Sequence, residues 1–413
     1  LEASLVVHVE ARPARTVHPV LFFVLYLPFG AAGGFVAGPV QFFYSHAGVT
    51  TAALGAVVSI GLAPQVLKVF WAPLVDTTLN AKLWYVLAAV AIAASVTAAG
   101  LLKIGYSSLP QLTIVALATS ISASFAGMAG DSLMAHATLP ERRGAAGGWS
   151  QAGNLGGVGM GGSVGLAIAS STQSLLLAGA GVAALCLLCA LALLFAPRST
   201  PYAKHANYLI TVRAVVLECW DVCRSRVGLM ALFVLVLPLG AGGAANLGAA
   251  LSKEWRVSAQ VLALVTALSG LATAGAAIVG GYICDRMDRK TAYVLFGVLG
   301  GLVAAATVFT PRTPEWFVVF GLGYSAALGL SYAGFSSVTL ETIGTGAAAT
   351  KYTLFASVSN IPVWLMPAVD GWADTRWTAT GMLWTEFATA AAAALLFFAV
   401  AAVARPRAAP AVA

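Results

Sequence analysis

The chain has 413 residues, of which 60% are hydrophobic and 9% charged, with a formal net charge of +7. A water-soluble fold devotes about a quarter of its residues to charged side chains, so this composition excludes a protein wrapped in an aqueous surface. Lipid offers no partner to a bare peptide group, and the apolar runs are of helix length, roughly 20 residues, which predicts an all-α membrane protein.

In chain order, residues 1–17 form a mixed polar and apolar tail that reads as cytoplasmic. The apolar run that follows outlasts a signal peptide and has no clear small-residue cleavage site, so the first helix is expected to be retained. Spans are predicted at 19–44, 50–74, 82–102, 110–137, 145–170 and 173–196. A hydrophilic interruption, 197–227, then carries Leu209, Val212, Val215, Val216 and Trp220 among Arg213, Glu218, Asp221 and Arg224. That apolar stripe at helical spacing predicts a surface-lying linker helix. Six further spans are predicted at 228–250, 258–281, 291–309, 315–341, 350–371 and 378–403. The expected organisation is an N-terminal six-helix bundle (18–196), the linker, a C-terminal six-helix bundle (228–404) and a cytoplasmic tail (405–413).

Leu25–Gly38 (LYLPFGAAGGFVAG) and Leu235–Gly248 (LVLPLGAGGAANLG) are near-copies, identical at positions that include Pro28/Pro238, Gly30/Gly240, Gly33/Gly243 and Gly38/Gly248. Twelve transmembrane helices in two pseudo-symmetric bundles, with a duplicated opening segment, is the build of an alternating-access transporter. Of the 22 Lys and Arg residues, all but Lys103, Lys253, Arg256, Arg312 and Arg376 fall on one side of this topology. The bias places both termini in the cytoplasm, in a cytoplasmic (inner) membrane. The positive charge is then a topology signal and an attraction to anionic lipid, not a nucleic-acid surface.

The five cysteines supply neither a disulfide framework nor four zinc ligands: Cys186 and Cys189 share a span, and Cys219 and Cys223 share the linker. No metal and no cofactor are expected. The string Gly157-Val-Gly159-Met-Gly161-Gly162 matches a dinucleotide pattern, but with no preceding strand the match is an accident. The four-residue steps Gly153, Gly157, Gly161 and Gly165 instead permit close approach of helices, and such smooth faces suit spans that slide or rock. Kinks are expected at Pro39, Pro64, Pro362 and Pro367.

Between spans eight and nine stands Gly281-Tyr-Ile-Cys-Asp285-Arg286-Met-Asp288-Arg289-Lys290. This resembles the G-x-x-x-D-R-x-G-R-[KR] loop of the major facilitator superfamily, with Asp288 where glycine is commoner. A carboxylate at a helix end can pair with arginines of the turn and with a neighbouring helix end, latching one conformation. The matching first-half loop runs from Lys68 to Asp76, where Thr77 and Thr78 follow in place of arginine. That latch is expected to be weaker, or to use Lys68 or Lys82. Its K-x-F-W-A-P-L-x-D string resembles the AmpG-like muropeptide permeases and their acetyl-coenzyme A transporter relatives. Asp131 with the Leu139-Pro140-Glu141-Arg142-Arg143-Gly144 loop, and Ala349–Ser357, resemble the same group. The resemblance implies a major facilitator fold and carriage of a sizeable, polar, often anionic solute. One departure is Gly127, where relatives often carry a second aspartate one turn before Asp131.

An ionisable group inside a span is costly unless it faces a cavity or a partner. Asp131 is therefore the expected proton-coupling group, against the alternative of a helix–helix anchor, with Glu341 and His136 as further candidates beside a snorkelling role. Glu386 reads as interfacial. Candidate solute contacts are Gln41, Asn154, Asn246, Tyr332, Ser336, Asn360 and Trp364, each of which can equally be a helix–helix hydrogen bond. Candidate latch residues are Lys68, Asp76, Gly281, Asp285, Arg286, Arg289 and Lys290.

No nucleophile, base and orienter set points to an enzyme. The expected function is secondary active transport of a polar, anionic, muropeptide-like metabolite by proton symport. Alternatives are a carrier of a siderophore or acyl-coenzyme A with the same fold, or a non-transporting membrane sensor or assembly factor. Expected partners are a small-molecule solute, protons and membrane lipids, with no nucleic acid, and the chain is taken as a monomer.

Overall fold

The computed structural model describes residues 17–197, 208–241, 255–344 and 346–404, and among these the chain is helices joined by short turns, with no strand. Span one, Val20–His46, loosens into a π-helical turn at Val36–Val40 around Pro39, where proline removes a backbone donor. Span two is Thr51–Leu67, followed by a tight turn and a short helix, Ala72–Thr77. Spans three to six are Ala81–Gly100, Leu109–Ala137, Arg143–Thr172 and Leu175–Ala190. The linker helix is Tyr208–Arg224. Spans seven to ten are Arg226–Val236, Ala259–Cys284, Arg289–Val308 and Pro314–Ile343. Spans eleven and twelve share one run, Ala348–Ala404, broken at Thr378, where φ is 64°. The starts are written locally: Thr50, Asn80, Ser174, Ser225, Ser258 and Asp288 each accept a backbone N–H from three residues on, the N-cap arrangement of short polar side chains.

Among the described residues, eight stretches are both long and apolar enough to cross a membrane. Span five is not one of them, although it has 30 residues. Its Gly, Ser, Asn and Gln dilute the apolar run, and it packs between span one on one side and spans eight and ten on the other. A helix shielded by protein does not need a lipid-soluble surface on those faces.

Span seven departs from the expected 228–250. Its helix stops at Val236, and Leu237 is extended, with ψ of 144°, because a residue before proline avoids the helical region. Gly240 then takes φ of 61°. The near-identical first copy stays helical through Pro28, gripped by span five: a Cβ added at Gly30 or Gly34 would run into the backbone of Asn154 or Val158. The second copy beyond residue 241, with Asn246, lies outside the described residues. The glycine face of span five is thus a seam within the first half. The close crossing between halves sits at its other end, where Gly144 and Gly148 face Gly281 and Ala277 of span eight.

Candidate functional site

A cavity of about 210 Å³ of water-accessible space lies between the two halves. The first half contributes Tyr26 and Phe29 of span one, Gln65 and Lys68 at the end of span two, Gly127 and Asp131 of span four, and Gln151 and Asn154 of span five. Facing them are Tyr293 of span nine, Ser331 and Tyr332 of span ten, and Tyr352, Ala356, Ser359, Asn360 and Val363 of span eleven. The span-eleven set recurs at three- and four-residue steps, so it is one helix face about 16 Å long.

Two opposite charges occupy this cavity. Asp131 is 5% exposed and accepts a hydrogen bond from the Tyr26 hydroxyl. Lys68 interacts electrostatically with it, and the lysine ammonium lies 5.9 Å from the centre of the Phe29 ring. From the other half, the Tyr352 hydroxyl pairs with Ser336 Oγ at 2.7 Å and reaches Gln151 of span five. Polar groups of both halves therefore meet around one carboxylate and one ammonium. At Gly127, a Cβ would come within 3.2 Å of the Phe29 ring, so the ring fills the place a second aspartate would take.

Of the expected solute contacts, Asn154, Tyr332 and Asn360 line the cavity, and Ser336 stands behind Tyr352. Gln41 is half-buried toward the far end of span one, away from the cavity wall. Trp364, one turn beyond Asn360, is 76% exposed and does not line the cavity. Of the expected proton carriers, Asp131 lines the cavity. His136 instead bonds through Nδ1 to the Ser132 carbonyl of its own helix, at 2.7 Å. Glu341 lies 3.5 Å from Lys290 Nζ. Lys68, expected in a latch, faces the cavity. Tyr26, Gln65, Gln151 and Tyr352 were not anticipated. Signals for two of them existed: Tyr26 lies inside the repeated segment, and Gln151 sits one turn before Asn154.

The remaining loop residues gather at the end of the bundle that carries the linker helix. Asp285 Oδ1 and Oδ2 accept the backbone N–H groups of Gly144 and Ala145 at 2.7 and 2.8 Å. Arg289 Nη2 donates to the Pro140 carbonyl at 2.7 Å and lies 3.4 Å from Asp285. Asp76 holds the corresponding place on the first half. Its carboxylate accepts from Ala349 N at 3.2 Å, Thr350 N at 2.8 Å and Thr350 Oγ1 at 2.7 Å. The first tie is thus as complete as the second and uses a helix N-terminus in place of lysine. Lys82 donates to the Leu193 and Ala196 carbonyls. Arg286 is exposed.

Two ties of the same kind, a cavity shared by both halves and, among the described residues, helices in the order of the expected spans fit a major facilitator fold. The Major Facilitator Superfamily model matches residues 20–248, and the chain belongs to that family of transporters. The structure is similar to the proton:xylose symporter XylE, with a TM-score of 0.65, 15% identity, and 92% and 94% of the two chains covered. It is similar to the human organic anion transporter MFSD10, with a TM-score of 0.68, 16% identity, and 94% and 100% covered. It is also similar to the transporter FucP in the outward conformation, with a TM-score of 0.69, 14% identity, and 92% and 98% covered. No curated protein matches the sequence.

Proposed function

We propose that this chain is a secondary active transporter that carries a polar, anionic metabolite together with a proton across the cytoplasmic membrane. The observation that carries the reading is the Lys68–Asp131 pair facing a cavity walled by both halves. With Lys68 cationic and Asp131 ionised the pair is neutral. An anionic solute seated on Lys68 leaves one negative charge in excess in a low-dielectric site, and a proton on Asp131 cancels it. Solute and proton then load together, and Tyr352 brings the second half into the same network.

The ties at Asp76 and Asp285 serve as latches holding the linker-side ends shut. By the Lys/Arg bias that side is cytoplasmic, so the cavity belongs to an outward-facing state. The transport halves are 18–196 and 228–404. Because Asp76 makes a full set of contacts, the argument for a non-transporting sensor, which needed a decayed first latch, loses its support. The cavity continues into an apolar annex that includes Ala32, Val36, Val58 and Val158 and shares Phe29, Gln65 and Asn154 with it. Beside a muropeptide-like solute, the annex favours as a second reading a cargo with an apolar limb, such as an acyl thioester.

The test uses proteoliposomes loaded with a pH dye and offered a muramyl peptide, an acyl-coenzyme A and a ferric siderophore in turn. One of them is expected to acidify the lumen. Lys68→Gln should lower its uptake at least tenfold, and Asp131→Asn should abolish acidification while binding survives. Uptake without acidification, or uptake unchanged in both variants, would overturn the reading.

A further inference from the structure

Span two turns one face toward the cavity and its annex, and that face changes character along its length. Val58, Gly61, Gln65 and Lys68 follow one another at three- and four-residue steps, which places them on one side of the helix and its closing turn. Val58 and Gly61 wall the annex alone, Lys68 the central cavity alone, and Gln65 walls both. Span four repeats the gradient, with Ala116 and Ala123 in the annex and Gly127 and Asp131 in the central cavity.

The annex has a volume of about 210 Å³, and among the described residues no charged side chain walls it. Its Thr119 hydroxyl is turned back onto the Val115 carbonyl of its own helix at 2.8 Å. Glu386, expected at the membrane interface, is buried away from both compartments and accepts from the Tyr324 hydroxyl at 2.9 Å. Lys68 and Asp131 are thus the charges that adjoin the annex. An anion on Lys68 has beside it a compartment that favours apolar surface.

The boundary between the two compartments is polar. Phe29, Gln65 and Asn154 are the walls they share. Gln65 Nε2 donates to the Ser120 carbonyl at 3.1 Å and to Ser120 Oγ at 3.2 Å, which orients the carboxamide and leaves Oε1 to accept. That oxygen is shielded from water and has no donor among the described residues. Asn154 Nδ2 gives one hydrogen to Gln151 Oε1 at 3.4 Å, and a carboxamide nitrogen carries two. The boundary therefore offers an acceptor and a donor from two different spans. Their complement is a secondary amide, which brings one N–H and one C=O. An amide oxygen shut away from water without a donor is costly, and a bound N–H relieves that cost.

We propose that the solute is an N-acylated amino acid or peptide, with its carboxylate on Lys68, its amide read by Gln65 Oε1 and Asn154 Nδ2, and its acyl limb in the annex. The proposal rests on the anion site at Lys68 and adds what the rest of the solute must carry. An ester of the same shape keeps the charge and the limb but leaves Gln65 Oε1 without its donor. Gln65 is then a specificity-determining residue, and the annex selects for an acyl chain.

Calorimetric titration of the full chain in nanodiscs, with empty nanodiscs subtracted, tests this with three probes: N-octanoylglycine, N-acetylglycine and the octanoyl ester of glycolate. N-octanoylglycine should bind about tenfold or more tightly than either of the others. Gln65→Leu should erase the preference for amide over ester and keep the preference for octanoyl over acetyl. Gly33→Leu should do the reverse: Gly33 walls the annex, and a Cβ there has nothing within 4 Å, so the leucine enters open space. Equal affinity for the three probes, or preferences unchanged in both variants, overturns the proposal. If such indiscriminate binding is still lost in Lys68→Gln, the anion site stands without it. Binding of N-octanoylglycine that survives Lys68→Gln, or no binding of any probe, overturns the anion site and the proposal with it.

Discussion

Asp76 and Asp285 each direct both carboxyl oxygens at the first turn of a helix in the opposite half. The first N–H groups of a helix have no partner within it and carry a partial positive charge. One carboxylate therefore satisfies two donors and a dipole at once, which explains why Asp76 needs no arginine. Asparagine keeps the shape and loses the charge, at a cost of up to about 2 kcal/mol for such a partly buried site. Asp285→Asn and Asp76→Asn are each expected to shift the population toward an open linker-side face by roughly 5- to 30-fold. Pulsed electron resonance between labels at Glu141→Cys and Met287→Cys would report it, and distance distributions identical to the unmutated pair would rule it out. Lys68 shows the limit of reading a loop from spacing. Span two ends at Leu67, and the turn that follows swings the lysine inward onto Phe29.

Spans one and seven share almost the same residues around their prolines, yet the chain stays helical through Pro28 and leaves the helix before Pro238, so the proline alone does not decide the break. Span five grips span one around Gly30 and Gly34, and at its other end it crosses span eight with Gly144 and Gly148 against Gly281 and Ala277. A side chain at Gly148 would meet Gly281 Cα at 2.8 Å. Gly148→Leu should drive spans five and eight apart, costing about 1–3 kcal/mol of the closed arrangement. Gly33→Ala is the control, since a Cβ there has nothing within 4 Å. Its thermal unfolding should match the wild type, while Gly148→Leu should unfold earlier or show the long label distance. Equal behaviour of the two variants would dismiss the crossing as a tight gate.

Across the whole molecule, the linker helix packs against the short helix that carries Asp76 and against the start of span eleven. Val215 and Cys219 are buried there with Ala347. Lys351 Nζ donates to Glu218 Oε1 at 2.7 Å, fastening the linker one residue from the Thr350 contact. Burial pushes the Cys219 thiol up to about 12, so at neutral pH it is protonated and slow toward maleimide. Lys351→Met removes a charge-assisted hydrogen bond of roughly 1.5 kcal/mol, so Cys219 labelling should rise about tenfold. The half-exposed Cys223 should be little changed, and an unaltered Cys219 rate would mean that this ion pair does not hold the helix down.

The helical class, the order of the helices, the helix in the linker and the placing of Asp131 inside the protein rather than against lipid were legible in the sequence. They depend on local quantities: hydropathy over a helix length, capping residues, and the cost of a carboxylate in lipid. Which polar residues share a cavity was not legible. Asn154, Tyr332 and Asn360 face it while Gln41 and Trp364 do not, and the difference is how far along and how far around its helix each residue sits once the spans are docked, which packing against neighbouring spans decides. The pairing of Asp76 with span eleven joins residues more than 270 positions apart in sequence. Only the docking of one half on the other creates it, as it creates the meeting of Lys68 and Asp131 with Tyr352.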